Sequence, residues 1–110
     1  MYKSTLDLKD YLKVDGKFVC VSTVGLGVEH YDNTWFETAV FPSDGKDITN
    51  YSEMYMKRYK TEQEAVDGHK TLVNLIASDE VKIVQEGSDD FIYDRLQMPK
   101  FKFKGANKNG

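Results

Sequence analysis

The chain has 110 residues, 40% hydrophobic and 30% charged, with a net charge of −3. That is the size and balance of one globular domain with enough apolar residues for a core. No run of 18 apolar residues and no basic–apolar–small leader occurs, so neither a membrane span nor a secretory signal is expected, and a single cysteine excludes an internal disulfide. Lys100, Lys102, Lys104 and Lys108 gather in the last eleven residues, leaving 11 basic and 18 acidic groups in residues 1–99. An acidic body lacks the clustered positive charge that phosphate contacts need, so direct nucleic-acid binding is not expected.

Ser4 and Asp7 stand at capping-box spacing ahead of Leu6, Leu8, Tyr11 and Leu12, which predicts a short helix over residues 5–13, ended by Gly16. Residues 17–24 alternate Phe18, Cys20, Ser22 and Val24 with Val19, Val21 and Thr23. Both sets are largely apolar, which predicts a central strand covered on both faces or packed in a dimer. Cys20, between two valines, reads as a buried thiol rather than a nucleophile. Gly25 and Gly27 open no GxGxxG pattern, so no phosphate cradle is indicated. A second strand is predicted over residues 34–41, with Trp35, Glu37, Ala39 and Phe41 opposite Phe36, Thr38 and Val40. Pro42 to Gly45 break it. A third strand, over residues 52–60, carries alternating charge suited to an edge with one wet face.

The pattern then changes period. Thr61 and Glu64 form a capping box, and Ala65, His69, Leu72, Val73 and Ile76 fall on one helical stripe, which predicts a helix over residues 62–77. Gly68 within it suggests close backbone packing. Residues 81–84 read equally as a strand or a helix extension, and the segment holding Phe91, Tyr93 and Leu96 is too short to classify. Residues 105–110 are polar and rich in Gly, Asn and Lys, a composition expected to be a disordered tail after a single domain spanning residues 1–104. The fold expected is α+β: an antiparallel sheet of at least three strands, one main helix on one face, and a short N-terminal helix.

Three blocks in order, Val21-Ser22-Thr23-Val24-x-Leu26, Trp35-Phe36-Glu37-Thr38-x-Val40-Phe41 and Arg58-Tyr59-x-Thr61-x-x-Glu64-Ala65-x-x-Gly68-His69, resemble a family of small uncharacterised proteins of tailed bacteriophages and prophages. The resemblance covers roughly residues 18–76. It implies a viral origin and a place in the host cytoplasm, and supplies no mechanism.

Candidate chemistry is sparse. Glu29, His30 and Asp32 share one loop and His69 lies on the helix, but no HxxxH or HExxH spacing links them, so no metal or other cofactor is expected. His69 among apolar residues reads as a core histidine bonded to a strand carbonyl or a carboxylate. Glu37 calls for Arg58 or His69 as a partner. None of Ser22, Thr23 or Cys20 has a partner at diagnostic spacing for a nucleophile, base and orienter, which argues against an enzyme. Seven tyrosines, six phenylalanines and one tryptophan are more suggestive, because tyrosine recurs in protein interfaces. The reading is a non-enzymatic accessory protein that binds a host or phage protein through Glu29, His30, Tyr31, Asp32, Tyr51 and Tyr55. Thr61, Glu64, Gly68 and His69 are assigned structural roles. A self-associating homo-oligomeric phage component is the first alternative, and a small-ligand binder or enzyme the second.

Overall fold

The computed structural model describes residues 5–26 and 33–95. Its first element overturns an expectation. Where a short helix was predicted, the chain forms strand β1 (Asp7–Val14), paired antiparallel with β2 (Lys17–Gly25) along its whole length. Leu8 and Leu12 are four apart, which fits one helical face and also every second residue of a strand. The turn decides between them. Asp15 and Gly16 take φ of +52° and +81°, the pair of left-handed residues that closes a two-residue hairpin in the right-handed twist of strands. With β2 so apolar and so close in sequence, pairing gives residues 7–14 a complete hydrogen-bond partner, which a single short helix lacks.

Strands β3 (Phe36–Pro42) and β4 (Tyr55–Tyr59) complete a four-stranded antiparallel sheet in the order β1-β2-β3-β4. They form at the two predicted places: β3 starts two residues later and runs on through Pro42, the residue expected to break it, and β4 has narrower bounds. Between them Ser43 bridges Ile48, and the Asp44 carboxylate accepts the amides of Lys46 and Asp47. Those bonds hold the Asp44 carboxyl below its usual range.

Helix α1 (Glu62–Ala77) starts and stops at the predicted residues. The Thr61 hydroxyl accepts the Glu64 amide at 3.1 Å, and the Glu64 carboxylate accepts the Thr61 amide at 3.2 Å. Its buried residues are Ala65, His69, Leu72 and Ile76, and they cover the sheet face carrying Val14, Val19, Val21, Val40 and Tyr55. Thr61→Ala should lower stability by about 1 kcal/mol, read by urea denaturation. A loss below a few tenths would show that the cap does not hold the helix start.

The segment that the periodicity left open is a hairpin, β5 (Val81–Glu86) and β6 (Asp89–Asp94), turning at Gly87 with φ +66°. Val81 and Ile92 enter the core beside Leu72 and Ile76, closing the end of the helix–sheet layer. The Asp15 carboxylate accepts the Ile83 amide and pairs with Arg95, and the Ile92 amide donates to the Met54 carbonyl. Among the described residues α1 is the only helix, and none is long and apolar enough to cross a membrane. The proposed tail, residues 105–110, lies outside the described residues.

Candidate protein-binding surface

The residues given structural roles converge beneath α1. His69 is buried, and its Nε2–H donates to the Asp10 carboxylate at 2.7 Å. A carboxylate only accepts, so Nε2 carries a proton, and in the Nε2–H tautomer Nδ1 is the acceptor. It accepts from the Thr23 hydroxyl at 2.7 Å, and Thr23 in turn accepts from Thr38 at 2.5 Å. The Tyr59 hydroxyl bonds Thr38 and Tyr55. One chain of hydrogen bonds thus crosses the sheet from β4 to β1, passing through the helix at His69. Hydroxyl, imidazole and carboxylate occur in the order of a nucleophilic triad, but Thr23 and Thr38 have no exposure at all. No substrate reaches that hydroxyl, and the arrangement ties helix to sheet.

Gly68 lies against the ring of Tyr59, the close packing that a glycine inside a helix suggests. Burial pushes the Tyr59 phenol upward, partly offset by its bond to Thr38, and pushes Tyr55 further up. Glu37 faces Arg58 across β3 and β4 at 4.0 Å, the first of its two anticipated partners.

The predicted binding residues divide. Glu29, His30, Tyr31 and Asp32 lie outside the described residues. Tyr55 is only 5% exposed, sandwiched between β4 and α1, so it is no surface anchor. The helix covers the odd-numbered face of β4, a choice that the strand's own alternating charges do not reveal. Tyr51, by contrast, is 73% exposed.

Tyr51 does not stand alone. Residues that pair directly in an antiparallel ladder share a face, so Tyr11↔Cys20, Lys13↔Phe18 and Cys20↔Phe41 place Tyr11, Phe18 and Phe41 on the side of the sheet away from α1. Tyr51 stacks on Phe41 with ring centroids 5.1 Å apart. Tyr11 and Phe41 flank Cys20 in one cross-strand row, Phe18 lies two residues along β2 on the same face, and Tyr51 joins them through Phe41, so the four rings share one patch. Lys13 caps it, its ammonium 4.7 Å above the Phe18 ring. Beneath the rings Cys20 is fully buried, and burial raises its thiol above the usual range. A protonated, covered thiol is no nucleophile. Sequence reasoning missed Phe18 and Phe41 because they stand in runs that read as core. The usable signal was that β2 and β3 have two apolar faces while, among the described residues, one amphipathic helix covers one of them.

Among the described residues, no group of three or more His, Cys, Asp or Glu side chains is arranged to hold a metal ion. Comparison with family models, curated proteins and solved structures found no match.

Proposed function

We propose that this is a non-enzymatic phage accessory protein that binds a host or phage protein through the aromatic face of its four-stranded sheet. The phage assignment rests on the resemblance of the three sequence blocks. The binding assignment rests on one observation. The large hydrophobic side chains most exposed among the described residues, Tyr11, Phe18 and Tyr51, all belong to the face that α1 does not cover. Aromatic side chains clustered at the centre of a patch, with charged groups such as Lys13 and Asp47 at its margin, have the composition of an interaction hot spot.

The experiment is affinity capture from lysate of a bacterial phage host, comparing wild type with the double variant Phe18→Ala, Tyr51→Ala. Each truncation removes an anchor worth about 1–2 kcal/mol, so capture of the wild-type partner should fall by roughly two orders of magnitude. Both side chains are exposed, so the variant should keep its helical and sheet circular dichroism. Equal capture by both proteins would overturn this assignment of the surface.

A further inference from the structure

We propose that two copies of this chain pair antiparallel through the outer edge of β1, joining their four-stranded sheets into one eight-stranded sheet across a two-fold axis. A two-residue turn makes Val14 and Lys17 a hydrogen-bonded pair, so Leu12, Asp10 and Leu8 also spend both backbone groups on β2. The bond from the Gly25 amide to the Leu6 carbonyl continues that alternation. The backbone groups of Asp7, Lys9, Tyr11 and Lys13 therefore point away from the sheet. No described residue bonds them. The β5–β6 hairpin meets the turn end of this strand, where Asp15 accepts the Ile83 amide and pairs with Arg95.

An open edge of this length is a template for another strand, and its charges select which strand fits. In a two-fold pairing that keeps each face of the sheet continuous, the axis passes through one residue. An axis at Tyr11 sets Lys9 opposite the second copy's Lys13, twice over. An axis at Asp10 instead sets Asp7 opposite Lys13, Lys9 opposite the Tyr11 ring and Leu8 opposite Leu12, each pair occurring twice. The outward backbone groups of all four odd-numbered residues then find partners. Leu8 and Leu12, half-buried in the single chain, gain cover from each other. One opposition is unfavourable, Asp10 against its own copy, and each of those carboxylates already accepts a bond from His69. The second copy is thus the occupant that the edge's own sequence complements. The pairing shares Tyr11 and Lys13 with the aromatic face, but Phe18 and Tyr51 lie off the β1 edge, so loss of capture and loss of pairing are read by different variants.

Sedimentation equilibrium over micromolar to millimolar chain concentration tests it, together with amide exchange at both ends of that range. Wild type should dimerise, and the amides of Asp7, Lys9, Tyr11 and Lys13 should gain protection as concentration rises, whereas those of Leu8, Asp10 and Leu12 are protected throughout. Asp7→Lys turns two attractive cross-strand pairs into repulsive ones and should raise the dimer dissociation constant about tenfold. Adding Lys13→Asp to it restores opposite charges and should restore most of the affinity. Asp10→Asn keeps an acceptor for His69, removes the like-charge opposition and should tighten the dimer. Lys9→Pro deletes an outward amide that β2 does not use and should abolish pairing. A monomer at millimolar concentration would overturn the proposal. So would protection of the odd-numbered amides that ignores concentration, which would place another segment of the same chain on the edge. A dimer indifferent to both the charge swap and Lys9→Pro would assign the interface elsewhere.

Discussion

Replacing His69 with alanine should lower the free energy of unfolding by about 3 kcal/mol. Two costs combine. Removing a buried imidazole leaves a cavity between α1 and the sheet, in the range of about 2–5 kcal/mol for large-to-small changes. It also strips the Thr23 hydroxyl of its acceptor in a place with no exposure, worth about 1–3 kcal/mol. Partial collapse of the site and the hydration open to half-exposed Asp10 hold the total near the lower end. The chain of hydrogen bonds makes a sharper claim than the magnitude. Thr23→Val should cost more than 1 kcal/mol when His69 is present, because it orphans Nδ1, and far less when His69 is already alanine. A double-mutant cycle by chemical denaturation would read that coupling. Additive costs, or a loss below about 1 kcal/mol for His69→Ala, would mean that helix and sheet are held by apolar contact alone.

How much of this was legible in the sequence depends on whether a residue's partner is near or far. The helix was readable to its last residue because its cap, stripe and length are local properties of residues 61–77. The β1 strand was not, because Leu8 and Leu12 satisfy both periods and Asp10 interrupts the alternation that would have identified a strand. Asp10 faces inward because it meets His69, 59 residues later, and no local pattern contains that fact. The binding surface shows the same division. Tyr51 was identifiable as exposed because its neighbours are polar, but Tyr55 was misassigned, since the side of β4 that α1 covers is set by the twist and order of the whole sheet. Phe18 and Phe41 were hidden for the opposite reason. Apolar strands on both faces look like core, and only the count of covering layers shows that no described element covers one of the faces.

Gly68 carries the second large effect, and its sign is the test. In an ordinary exposed helix position, Gly→Ala stabilises by up to about 1 kcal/mol. Here a Cβ would meet the Tyr59 ring, with Cε1 at 2.8 Å and the Cζ and hydroxyl nearer still. The ring cannot swing away without loss, because its hydroxyl bonds Thr38 and Tyr55 at the head of the chain that runs to His69. Overpacking of this kind costs about 1–3 kcal/mol, and together with the disturbed bonds it outweighs the gain in helix propensity. Gly68→Ala should therefore destabilise the protein by about 2 kcal/mol. In a Tyr59→Leu background the obstructing ring is gone, and the same Gly68→Ala change should become neutral or stabilising by up to about 1 kcal/mol. Urea denaturation of the four proteins of that cycle measures both signs. If Gly68→Ala stabilises the wild type, Tyr59 moves aside freely, and the close approach of β4 to α1 is not what requires glycine there.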